Sequence, residues 1–224
     1  MDMDAAFSRR QTLRADQNYR TNLAEDAVDY DAMTAFAIND GVPPALAGMV
    51  KRDYKGAGTV AEYDVIAYAL ESMMTIERAD GLWIVAQSQK AAGGVASAIY
   101  TGGLARGKAS KWFSFPELCT KFTDRVSMSA NSSEWEDGQM FDWIFELDSM
   151  RYCYDLLVIH GVTEALLTDF VAKELYSLLS IRIGRGLFTV VTSMAGAFSE
   201  ATTNKNAVRL LMEDSFDTHR IDGR

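Results

Sequence analysis

Two stretches in the second half of the chain, YDLLVIHG at 154–161 and LFTVVTSM at 187–194, read as continuous apolar strands. A strand with one wet face alternates polar and apolar residues, so an unbroken apolar run requires cover on both faces. Between them lies TDFVAKELYSLLSIRIGRG, residues 168–186, a long helix with Gly186 past its end. Strands buried on both sides and alternating with helices predict a parallel sheet held between two helical layers. The expected class is therefore three-layer α/β.

The rest of the chain repeats this alternation. An apolar run at 82–85 is followed by a helix over 95–104, ended by Arg106-Gly107-Lys108. SKWFSF at 110–115 is a second strand, and the helix after it, 116–126, carries Pro116 in its first turn, where a missing N–H costs little. A polar loop is expected over 127–139 and a helix over 140–150. Upstream, Val60, Tyr63, Ile66, Ala67, Leu70, Met73 and Met74 recur at three- and four-residue steps, which predicts an amphipathic helix packed on the sheet. The first 40 residues are polar, with loosely helical apolar positions at Leu13, Leu23, Ala27, Tyr30, Met33 and Phe36. Asn39-Asp40-Gly41 and Pro43-Pro44 then punctuate the chain. They divide it into an N-terminal helical element, 1–40, and a main body, 41–224.

With 224 residues and 48% hydrophobic composition the chain suits one substantial domain with a small appendage. The net charge of −9 argues against holding duplex DNA on a broad basic surface, since such affinity comes mainly from neutralised phosphates. Two local basic groups, Arg9, Arg10, Arg14 and Arg20, then Arg106, Lys108 and Lys111, read as solvated faces. Cys119 and Cys153 lie in apolar surroundings without metal or redox spacing and are expected to be reduced core thiols. No apolar run approaches the roughly 20 residues that span a bilayer, and MDMDAAFSRRQ has no apolar targeting core. A cytoplasmic, membrane-free protein is expected.

Leu82 to Ile99, LWIVAQSQKAAGGVASAI, has the outline of strand, small polar loop and Ala-rich helix that a phosphate-binding loop has. GVPPALAG precedes it, LARGKASKWFSFPELCTKF follows, and YDLLVIHG, GRGLFTVVTSM, NAVRLLMED and RIDGR succeed one another in order. Together these landmarks resemble the AAA+ ATPases of the bacterial and phage helicase-loader type, the DnaC and IstB-like group, from about Gly41 to the end of the chain. The resemblance implies an AAA+/RecA-like parallel sheet with a short N-terminal helical element and no separate C-terminal lid domain.

The chemistry of that family is not preserved. Its phosphate loop uses glycine backbone N–H groups, a lysine for the β and γ oxygens, and a Ser or Thr hydroxyl for magnesium. The matching stretch here is Ala86, Gln87, Ser88, Gln89, Lys90, Ala91, Ala92 and Gly93, with Ala92 at the lysine position and Gly93 at the hydroxyl position. Lys90, two residues early, would point differently and does not replace the lysine. The resemblance puts two acids at the end of the strand where His160 and Gly161 stand, and a polar Asn where Met194 stands. Asp155 is at the wrong end of its strand, and Glu164 lies beyond the turn. His160 invites a reading as metal ligand or general base, but His219 is the only other imidazole, so a residue filling a vacated site is the better reading. Arg209 matches an arginine that in the family reaches into a neighbour's ATP site, and it also stands four residues before Glu213, a helical ion-pair spacing. Both readings stay open.

The resemblance thus implies a catalytically inactive helicase-loader-like protein that needs no cofactor. It would bind a replicative helicase or an active loader ATPase in phage- or plasmid-type replication, as a homo- or hetero-oligomer, touching DNA only indirectly or weakly. Arg10, Leu13, Arg14, Tyr19, Leu23 and Tyr30 are the candidate partner contacts. The alternatives are a divergent loader that binds ATP and magnesium, and a DNA-binding accessory factor.

Overall fold

The computed structural model describes residues 30–49, 60–74, 81–130, 137–198 and 203–221. In chain order the elements are α1 (Tyr30–Asn39), α2 (Val60–Ser72), β1 (Gly81–Ala86), α3 (Gln89–Ala105), β2 (Ser110–Ser114), α4 (Phe115–Ala130), α5 (Asp137–Tyr152), β3 (Leu156–Val162), a 3-10 turn (Glu164–Leu166), α6 (Asp169–Ile183), β4 (Phe188–Met194), α7 (Thr203–Ser215) and β5 (Phe216–Ile221). The five strands form one sheet in the order β2-β3-β4-β1-β5, and all pairings are parallel. This is the expected three-layer α/β architecture.

Alternation along each strand supplies two separate cores. Leu82, Ile84, Ala86, Trp112, Leu156, Val158 and Val190 face one layer, where they meet α1, α2 and α3. Trp83, Phe113, Leu157, Ile159 and Val191 face the other, with α4, α5, α6 and α7. The three central strands, β1, β3 and β4, therefore bury both of their faces, which explains why their sequences show no regular polar alternation, whereas the edge strand β5 exposes Thr218 and Arg220. The amino ends of the central strands are tied by buried polar groups. The fully buried Arg182 of α6 donates to Thr189 Oγ1 at 2.8 Å and to the carbonyls of Met150, Tyr154 and Phe188 at 2.5, 3.1 and 2.8 Å. Asp155 accepts from the Ala109 N–H at 3.1 Å and so joins the approaches to β2 and β3.

Several boundaries differ from the sequence reading. Helix α4 continues to Ala130 and α5 starts at Asp137, so 127–130 and 137–139 of the expected loop are helical, and 131–136 lie outside the described residues. The last strand is Phe216–Ile221, starting four residues before the RIDGR landmark, and Phe216 is buried where the chain enters the sheet beside Gly81. The largest difference is at α3. It begins at Gln89, six residues before the expected Val95, because Ser88 caps it and the small residues that follow pack against the sheet. Among the described residues no helix is long and apolar enough to cross a membrane.

Candidate functional site

In open parallel sheets chemistry gathers at the carboxyl ends of the strands. Here that edge is formed by Ala86 of β1, His160 to Val162 of β3, Met194 of β4 and the first turns of α3. Only Gln87 and Ser88 separate β1 from α3. The Ser88 side chain accepts from the Ala91 N–H at 3.5 Å, and its carbonyl accepts from the Ala92 N–H at 3.1 Å. Two backbone donors of this turn, those of Ala91 and Ala92, are thus spent on starting a helix. The expectation of a loop over 86–93 is corrected: Gln89, Lys90, Ala91, Ala92 and Gly93 are helical. Gln89 and Lys90 are exposed on the first turn, whereas Ala92 is 2% exposed and belongs to the core. Ala86 is held on its other side, its carbonyl accepting from the Ala195 N–H just past Met194 at 3.0 Å.

The space beside this helix start is closed. A Cβ placed on Gly93 would lie 2.6 Å from Leu46 Cδ1 and 2.9 Å from His160 Cε1. His160 comes from β3 and Leu46 from the turn that follows α1, so the two enter from different sides. The position matched to the magnesium-binding hydroxyl is therefore covered by an aliphatic side chain and an imidazole.

The end of β3 is irregular, and the irregularity aims His160. Ile159 pairs with Val191 and Val162 with Ser193, so His160 and Gly161 together oppose Thr192. This is a β-bulge. Gly161 adopts φ +84°, a left-handed conformation that glycine takes without a Cβ penalty. The extra residue leaves His160 on the face of Trp112 and moves Val162 to the opposite core. Thr192 Oγ1 accepts from the Gly161 N–H at 2.9 Å and lies 2.9 Å from His160 Nδ1. A neutral ring taking the threonine proton at Nδ1 satisfies both contacts. Burial pushes the His160 pKa down to about 4, so the ring is neutral near pH 7. Its other neighbour is Trp112, with ring centroids 5.3 Å apart and planes inclined at 38°.

This arrangement favours a packing role for His160. His219 stands on β5, beside Tyr68 at 5.8 Å between ring centroids, with β4 and β1 lying between β5 and β3. Three strand spacings, roughly 14 Å, separate the two strands, too far for one metal ion. No group of three or more His, Cys, Asp or Glu side chains suited to a metal occurs among the described residues. Asp155 is at the amino end of β3, as expected, and Glu164 is in the 3-10 turn beyond its carboxyl end.

The turn bearing Leu46 is anchored through Asp40. Its carboxylate accepts from Tyr100 Oη on α3 at 2.6 Å, from Lys111 Nζ on β2 at 2.6 Å and from the Trp112 backbone N–H at 3.1 Å. Burial raises the Asp40 pKa against the opposing pull of Lys111, and it raises that of Tyr100 further. Lys111, expected on a solvated basic face, is instead part of this clamp, because β2 is an edge strand and Asp40 takes up one of its outer N–H groups.

The remaining predicted residues are placed as follows. Arg209 donates to Glu213 at 3.1 Å and to Asn206 at 3.2 Å along α7, so the helical ion pair is formed. Arg10, Leu13, Arg14, Tyr19 and Leu23 lie outside the described residues, and Tyr30 is the first residue of α1. Cys119 and Cys153 are free thiols, with Cys119 raised to about 11 by burial. The sequence reading missed Leu46, Asp40, Trp112 and Thr192 as neighbours of the site. One signal was available: a glycine inside an otherwise apolar strand pattern marks a bulge.

No protein-family model and no curated protein matches this chain. Among solved structures, it is similar to a crystal structure of a DNA replication initiation factor, with TM-score 0.57 and 12% identity over 77% of this chain and 49% of that one. C. elegans PCH-2 overlays with TM-score 0.44 and 14% identity, over 82% of this chain and 45% of that one. The chain thus spans about half the length of the structures it resembles. At these identities the likeness is one of fold.

Proposed function

We propose that this chain is a nucleotide-independent, helicase-loader-like AAA+ protein that acts by contact. Its partner is a replicative helicase or an active loader ATPase, and its setting is DNA replication of the phage or plasmid type. The observation that carries the reading is the closed start of α3: two residues after β1, with Leu46 and His160 over Gly93. A nucleotide site needs a loop for the phosphates and acids for magnesium, and here a helix and a neutral imidazole take those places. The similarity to a replication initiation factor supports the setting. The partner contacts are assigned to the N-terminal segment, through Arg10, Leu13, Arg14, Tyr19, Leu23 and Tyr30, and Arg209 remains a candidate for completing a partner's site.

Two measurements test the proposal. Direct titration of the full chain with ATP and magnesium should give no binding; magnesium-dependent affinity would sink the nucleotide-independent reading in favour of a divergent loader. A pull-down with the replicative helicase, and with an active loader ATPase, should capture the full chain but not a chain starting at residue 30. That start keeps α1 and the Asp40 clamp. Failure of the full chain to bind either partner would remove the contact role, and salt-dependent affinity for single-stranded DNA would point instead to a DNA-bound accessory factor.

A further inference from the structure

Residues 40–48 do more than connect α1 to the rest of the chain. Left-handed glycines bracket the turn, Gly41 at φ +98° and Gly48 at φ +84°. Its middle is pinned by the Leu46 carbonyl, which accepts from the buried Ser97 Oγ of α3 at 2.7 Å. Its start is pinned by Asp40, which takes one donor from α3 and two from β2. Its apolar tip, Leu46, lies against the Gly93 and His160 pair. Trp112 links the two ends: its backbone N–H serves Asp40, and its fully buried ring packs at a tilt against His160.

From this geometry we infer that residues 40–48 form a latch that closes the carboxyl edge of the sheet from within and joins it to α1. The inference deepens the proposed function, because it rests on the reading of this edge as a closed former nucleotide site. In proteins that use such a site, a bound ligand orders the edge. Here Leu46 supplies the ordering contact, and Asp40 determines whether Leu46 stays seated. Helix α1 runs directly into Asp40, so α1 and the edge share one anchor. Opening the clamp frees Leu46, and the first turns of α3 then lose their cover.

Native-state hydrogen exchange on the full chain without nucleotide or partner tests this. In Asp40→Asn, which keeps the shape but leaves the Lys111 ammonium without its carboxylate, amides at 92–97 and 112 should exchange at least tenfold faster. Amides at 178–182 of α6, in the opposite layer, should keep wild-type rates. Local opening confined to one region differs in this way from general destabilisation, which speeds every amide that exchanges by global unfolding. Equal acceleration everywhere, or no acceleration at 92–97, overturns the latch. Should Asp40→Asn fail to fold, Leu46→Ala carries the same test: it leaves Asp40 and its donors intact and should loosen 92–97 while sparing 178–182. ATP binding by the wild-type chain would refute the proposed function without touching these exchange rates, so the two ideas fail separately.

Discussion

Replacing Gly93 by alanine tests the closed site most directly. A glycine inside an unobstructed helix gains about 1 kcal/mol when changed to alanine, because the unfolded chain loses backbone freedom and the helix does not. At Gly93 the new methyl would lie 2.6 Å from Leu46 Cδ1 and 2.9 Å from His160 Cε1, closer than any real Cβ contact. Leu46 can rotate its tip, but the imidazole is held between Thr192 and Trp112 and has little room to retreat. Forcing a methylene into packed surroundings costs about 1–3 kcal/mol. Subtracting the propensity gain leaves a net loss of roughly 0–2 kcal/mol, which for a chain of this size lowers the melting temperature by about 2–4 °C per kcal/mol. Thermal and urea denaturation of Gly93→Ala beside wild type reads this out. Leu46→Ala alone should cost about 2–5 kcal/mol. In the Gly93→Ala background it should cost less, with a coupling of at least about 0.5 kcal/mol, since the new methyl fills part of the space that Leu46 leaves. A Gly93→Ala protein about 1 kcal/mol more stable than wild type, with strictly additive effects in the double variant, would refute the packed geometry.

Other expectations follow from the same contacts. Writing Gly-Lys-Thr into 91–93 puts a lysine at the 2%-exposed Ala92 position, so the variant should lose stability and should still not hydrolyse ATP; robust phosphate release would refute this. The His160 pKa falls from 6.5 to about 4 on folding, so the unfolded chain binds more protons between those values and stability is lost as pH drops from about 6.5 toward 4. The loss amounts to about 3 kcal/mol. His160→Asn can keep the bond to Thr192 and should flatten that part of the stability profile; because the raised Asp40 pKa acts in the opposite sense, the difference between the two proteins is the quantity to measure. Arg182→Lys should cost at least about 3 kcal/mol in urea denaturation, since an ammonium cannot reach four acceptors from three elements, and a loss under 1 kcal/mol would show that the carbonyls find other donors.

Much of the architecture is written locally. The apolar run at 156–159 and the mainly apolar one at 187–191 are satisfied by burial on both faces, and the helical crossover between them dictates parallel pairing. The same locality puts His160 and Gly161 at the end of β3, and the Arg209 to Glu213 spacing gives its ion pair directly. The candidate site is different, because its parts are distant in sequence. Whether 89–93 is loop or helix depended on a cap at Ser88 and on sheet contacts that small residues permit but do not announce. Asp40 looked like turn punctuation, and only the folded chain brings it to Tyr100 and Trp112, 60 and 72 residues away. Sequence by itself determined the layered fold and which residue types stand at the carboxyl edge of the sheet, because periodicity and residue type are local properties. Tertiary structure alone decided how that edge is closed, because closing it takes Leu46, Gly93, His160 and Thr192 from four separate segments, and their meeting is set by packing.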